Sequence, residues 1–217
     1  MKVELAAPAL ARPGQILLEH PQAKELFPRF LATGYPIAEA MVPLMEAALR
    51  RAREAAPQDP VAGGLIAYLE RHIPEEMHGD EPGGATLNDL AALGIDPDRL
   101  RREPPAPQVA ALIGAQYYWI FHRHPVAVLG FLELEAFHPH EPTVERLIES
   151  TGLPRDGFRQ LLIHSKLDVV HARDLHRVLD ALPLEPWHEQ LIGLSALQTI
   201  SLLTEALMEV VRSDDVP

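Results

Sequence analysis

Apolar residues recur at three- and four-residue steps through most of the chain, and no convincing run of alternating strand-like positions appears. From about Pro36 to Ala55, the residues Ile37, Met41, Leu44 and Ala48 mark one face of a helix. A second helix is expected from Val61 to His78, with Leu65, Leu69 and His72 on one stripe. Pro74 should kink it or mark a new start. Residues 78–106 are rich in Gly, Pro and Asp and read as a loop with one or two short helices. The segments Pro107–His122 and His124–Phe137 are apolar nearly all round, which predicts two central, buried helices. Pro125 suits the first turn of the second of these. Further helices are expected at Pro142–Gly152, from Leu153 to His171 or on to Leu182, and at Pro186–Val211. The 21 prolines fall mostly between these segments. The pattern predicts one all-α domain over residues 1–217, with roughly seven to nine helices and residues 1–20 as an irregular arm.

Composition narrows the possible functions. Hydrophobic residues at 47% and charged residues at 23% of 217 exclude wholesale disorder. Asp plus Glu is 31 and Lys plus Arg is 19, so the chain carries a net charge of −12. An acidic chain without a basic stripe is poorly suited to a phosphate backbone or an anionic membrane surface, so neither nucleic acid nor membrane is an expected partner. No window approaches eighteen uninterrupted apolar residues, and residues 1–15 lack the apolar core of a signal peptide. A cytoplasmic location is therefore expected. Cysteine is absent, which removes thiolate metal sites and thiol nucleophiles, while histidine reaches 11. A metal site must then be built from His and carboxylates, a donor set that suits iron, manganese or zinc.

Three motifs could supply it. His164, Asp168 and His171 stand at i, i+4 and i+7, within about 60° of one another round a helix. Glu75 and His78 stand three apart, with Glu76 as an adjacent alternative. Glu133 and Glu135 sit in an otherwise apolar helix, where a buried carboxylate needs a cation or a hydrogen-bond network. They differ by about 200°, so one at most faces a given site. Singly, each motif has an ordinary structural reading as a polar helix face or a frayed end. The remaining His122, His124, His138 and His140 read as surface or structural, and Tyr117-Tyr118-Trp119 reads as core. No glycine-rich phosphate loop, nucleophile elbow or dinucleotide fingerprint is present.

In this order, the three motifs resemble the heme-oxygenase-like diiron oxidases, many of them known only as iron-containing redox enzymes. The runs YLERHIPEEMHGD, QYYWIFHRHPVAVLGFLELE and TGLPRDGFRQLLIHSKLDVVHARDLHRVLDALPL carry the resemblance, which extends from Ile66 to Val211. It implies a heme-oxygenase-like helical bundle binding Fe(II), two per chain, with O2 as co-substrate. It further implies ligation by Glu75, His78, a middle glutamate, His164, Asp168 and His171, the middle ligand being Glu135 or, alternatively, Glu133. The reactions implied are N-oxygenation, oxidative C–C cleavage or decarboxylation of a small organic substrate, in a chain that could form a homodimer. The Gly79 that follows His78 departs from the acidic helical run of such proteins and leaves Glu76 open as the ligand. The alternatives are a metal-free thiaminase-like or quinone-cofactor-synthesis-like relative of the same fold, or a non-catalytic helical binding protein.

Overall fold

The computed structural model describes residues 7–77, 83–133 and 139–213, apart from the side chains at 7 and 167–170. The described residues are helical with no strand, as the periodicity predicts, but they hold ten α-helices rather than the seven to nine expected. The helices are α1 (Ala7–Glu19), α2 (Ala23–Ala55), α3 (Pro60–Glu76), α4 (Gly84–Ala92), α5 (Pro97–Arg102), α6 (Pro107–His122), α7 (Val128–Leu132), α8 (Glu141–Thr151), α9 (Arg159–Ala181) and α10 (Pro186–Arg212). Short 3₁₀ turns at Pro125–Ala127 and Arg155–Phe158 lead into α7 and α9.

Two segments are more helical than their prolines suggest. Residues 7–19 form α1 rather than an irregular arm, and they run helical through Pro13. Packing supplies the reason: Leu17 is 1% exposed and sits in a core cluster with Phe27, Phe158 and Met208. Helix α2 starts at Ala23 rather than Pro36 and continues through Pro28, Pro36 and Pro43. Each proline removes one ladder hydrogen bond, but buried Leu26, Phe27, Leu44 and Met45 hold the helix on the core. Phe27 stacks on Phe158 at 4.3 Å, which ties α2 to the start of α9.

Helix starts follow local chemistry. The Asp59 carboxylate accepts from the amides of Val61 and Ala62 at the head of α3, with Pro60 in the first turn. Asp89 of α4 accepts from the Gln160 amide at 2.7 Å and so caps α9 from outside. Burial raises its pKa to about 6. Gly152 ends α8 at φ 62°, the left-handed cap that glycine adopts without strain.

The central layer is set by α7 and α10. Helix α7 covers only Val128–Leu132 of the helix expected from His124 to Phe137, because Pro125–Ala127 form a 3₁₀ turn and residues 134–137 lie outside the described residues; every residue of α7 is buried, as expected. A Cβ on Gly130 would lie 2.2 Å from the Ile192 carbonyl and 2.8 Å from the Ala196 amide, so only glycine permits this approach. Helix α6 differs from the expectation: Tyr118 and Phe121 are 44% and 37% exposed, so one of its faces is open. Helix α10 has the length and mean hydropathy to cross a membrane, although polar residues interrupt its apolar run. Half of that stretch is buried against the other helices.

Candidate metal centre

The last turn of α3 and the middle of α9 bring His72, Glu76 and His171 together. One donor atom from each lies within 4.8 Å of the other two. Glu76 Oε1 is 3.2 Å from His171 Nδ1 and 3.8 Å from His72 Nε2. The two imidazoles meet edge to face at 5.0 Å. All three side chains are nearly buried, and Tyr68 stacks on the outer side of His72 at 5.1 Å.

Hydrogen bonding fixes which nitrogen of His72 faces inward. Its Nδ1 lies 3.2 Å from the Glu75 carboxylate, which accepts and cannot donate when ionised. The Nδ1 proton therefore goes to Glu75, and the Nε2 lone pair points towards Glu76. A neutral ring in that tautomer offers Nε2 as a ligand atom beside the Glu76 carboxylate, where a divalent cation would bridge the two. A neutral imidazole whose far N–H is held by a carboxylate is the arrangement that metal-ligating histidines use. Two histidines and a carboxylate also form a donor set suited to a divalent transition metal. The residues present thus fit an iron.

A second group, Asp59, His124 and His188, has the same composition and similar spacing. Its hydrogen bonds run the other way. His124 Nδ1 accepts from the Val126 amide at 3.1 Å, so Nε2 carries the proton and donates to Asp59 at 2.8 Å. His188 Nδ1 accepts from the Glu185 amide at 3.1 Å, which closes the capping box of α10. Burial, and then the neighbouring His124, lower the His188 pKa and favour the neutral ring. Both inward nitrogens hold protons rather than lone pairs, so this group reads as a helix-junction anchor and not as a metal site. Asp59 stays ionised there: burial pushes its pKa up, but the Ala62 amide and His124 outweigh that and leave it lowered.

The sequence-derived candidates are distributed as follows. Glu75 lies on the outer side of His72 and is about half exposed, whereas Glu76 lies inside. Glu133 is buried at the end of α7, with Oε1 3.8 Å from His176 Nε2. His164 is buried, with Nε2 3.3 Å from the Gln160 side-chain amide. Neither Glu133 nor His164 joins the three-residue group. Two helical turns, a rise of about 10 Å, separate His164 from His171 on α9. His78, Glu135 and the side chain of Asp168 lie outside the described residues. His72 was visible in the sequence only as a position on an apolar stripe. The signal for it is HIPEE, which puts carboxylates at i+3 and i+4 from one histidine.

Comparison with known proteins gives a family and a fold. The family model described as iron-containing redox enzyme matches residues 39–203. A domain of unknown function with a heme oxygenase-like fold from Shewanella denitrificans superposes with a TM-score of 0.79 at 17% identity, covering 96% of this chain and 88% of that one. A TenA homolog from Pseudomonas syringae gives 0.65 at 13% identity, covering 97% and 92%. A CADD-like protein of unknown function from Nostoc punctiforme gives 0.65 at 21%, covering 95% and 90%. These likenesses establish a heme oxygenase-like fold. No curated protein matches the chain.

Proposed function

Because this chain belongs to the iron-containing redox enzyme family, we propose that it is a non-heme iron, O2-dependent oxidase or oxygenase. In this reading it holds two Fe(II) per chain, works in the cytoplasm and acts on a small organic substrate by N-oxygenation, oxidative C–C cleavage or decarboxylation. The observation that carries the reading is the convergence of His72 Nε2 and His171 Nδ1 on one oxygen of the buried Glu76 carboxylate, at 3.8 and 3.2 Å, with Glu75 on the far nitrogen of His72. Two ferrous ions, one held there and one by the remaining ligands, would together supply electrons in pairs to dioxygen.

The chain's own residues have definable parts. Glu75 takes the Nδ1 proton of His72 and so holds the ring in its ligating tautomer. Glu76 provides negative charge shared by two imidazoles. Tyr68, stacked on His72, keeps water from that side of the ring. Glu133, His164 and Asp168 are the residues we assign to completing the ligand set, with Glu135 and His78. Thiaminase-like chemistry through a thiolate has no nucleophile here, since the chain has no cysteine.

The reading is tested by loading the protein with Fe(II) under anaerobic conditions and measuring O2 uptake on an electrode. Uptake well above that of free Fe(II), lost in His171→Ala, is the expected result. Uptake equal to the free-ion control would reject oxygen chemistry.

A further inference from the structure

The outer faces of α6 and α10 form a surface that the iron site does not use. The two helices run antiparallel and are stitched along their length. Gln108 donates to Glu209 at 2.6 Å at one end, Gln116 to Thr199 at 3.0 Å in the middle, and Trp119 to Gln198 at 3.0 Å further on. Buried Ser195 donates to Gln116 at 2.9 Å in the same seam. Each helix then turns a second stripe outward.

On α10 the exposed positions are Trp187, Gln190, Leu194, Leu197 and Ser201, spaced 3, 4, 3 and 4. On α6 they include Gly114, Tyr118 and Phe121, spaced 4 and 3. That repeat keeps one narrow seam on the same side of a helix and is the spacing by which helices pack nearly parallel or antiparallel. Leu194 is 56% exposed and Trp187 45%, which is unusual for large apolar side chains arranged in register.

The seam positions of α6 and α10 are themselves uncharged in a strongly acidic molecule, with Arg50 of α2 lying over Phe121 at the edge. Between Glu189 and Glu205, α10 has no charged residue, and α6 has no Asp, Glu, Lys or Arg at all. Two copies carrying −12 each repel everywhere except across such a face. The ends of the seam carry opposite signs. Exposed Arg123 follows α6 beside Trp187 and Gln190, and it forms no ion pair among the described residues. Exposed Glu205 lies at the opposite end of the α10 seam and likewise has no ion pair among the described residues.

We propose that two copies of the chain associate through α6 and α10 about a two-fold axis that crosses α10 near Leu197. In that arrangement the helices of the two copies run antiparallel, which makes a four-helix layer with Leu197 facing its counterpart. The same axis carries Gln190 to the level of residue 204 of the other copy, so Arg123 meets Glu205 at each end. A parallel pairing would bring like ends together. Glu189 sits about 120° round from the seam centre and stays clear of the contact.

Sedimentation equilibrium of the full chain tests this, with a dimer expected in the micromolar range, the weak end of standard-size interfaces. Leu194→Glu, at a mostly exposed position, is expected to weaken association at least about 100-fold with unchanged helicity. Arg123→Glu should weaken it, and adding Glu205→Arg should restore it. The absence of native cysteine allows a positional check: Leu197→Cys should be joined to its counterpart by a short bifunctional maleimide, while Glu149→Cys on α8 should not. A monomer at all concentrations overturns the proposal. So do a dimer untouched by Leu194→Glu, and equal crosslinking at both cysteines. Sedimentation of the monomer with phosphatidylcholine vesicles, lost in Leu194→Glu, would overturn it in favour of a lipid surface.

Discussion

His72 and His171 stand 99 positions apart in sequence, yet their rings meet edge to face at 5.0 Å with the Glu76 carboxylate against both. The contact joins the end of α3 to the middle of α9. It puts two imidazoles and one carboxylate, three donors of the kind that hold a divalent metal, in a largely buried place.

Glu75 and Glu76 are adjacent but should behave differently. Glu76→Gln removes the charge shared by two imidazoles, and the expected outcome is loss of one metal position. Glu75→Gln removes only the carboxylate that holds the His72 tautomer, and the expected loss is about 10- to 100-fold in affinity. Titration with Co(II), read by its visible absorption, separates the two. Equal losses would show that both act in the same way.

The Asp59–His124–His188 group should leave metal content untouched. His188→Ala breaks the capping box of α10 and is expected to cost about 1–2 kcal/mol in urea unfolding. Its metal stoichiometry should equal that of the unaltered protein. A fall in bound metal would mean that the hydrogen-bond directions at His124 and His188 had been misassigned.

Gly130→Ala puts a methyl group into backbone atoms of α10 rather than into a flexible side chain. The expected destabilisation is about 1–3 kcal/mol, because one of the two helices must shift. A change within 0.5 kcal/mol, the usual scatter of about that size for surface substitutions, would show that α7 and α10 separate easily.

Asp89 makes a pH prediction of unusual sign. Burial raises its pKa from 3.8 to about 6 in the folded chain. Between those values the folded state binds more protons than the unfolded state, so this residue's contribution makes stability fall as pH rises from about 4 to 6. Asp89→Asn should flatten that part of the profile. Urea unfolding of both proteins across the window tests it, and parallel profiles would reject the assignment.

Much of the fold was legible because α3, α6, α8, α9 and α10 combine helical periodicity with clear start or stop residues. Helix α1 and the first turns of α2 were not, because internal prolines mimic boundaries and only tertiary burial of Leu17 and Phe27 overrides them. At the site, the motif residue His171 and the alternative carboxylate Glu76 could be found by spacing. His72 could not, because on a helix wheel it falls on the same stripe as Leu65 and Leu69 and looks like core. Only the fold shows that α9 arrives opposite it. Nor does spacing distinguish the two His–carboxylate groups, since the direction of the Nδ1 hydrogen bond depends on neighbours that the chain brings in from elsewhere.

Iron content after anaerobic Fe(II) loading and desalting tests the central claim most directly, measured in the unaltered chain and in Glu76→Gln, His171→Ala and His188→Ala. The account predicts two irons per chain, clear loss in the first two variants and none in His188→Ala. An iron-free protein, or iron that survives both Glu76→Gln and His171→Ala, would contradict it.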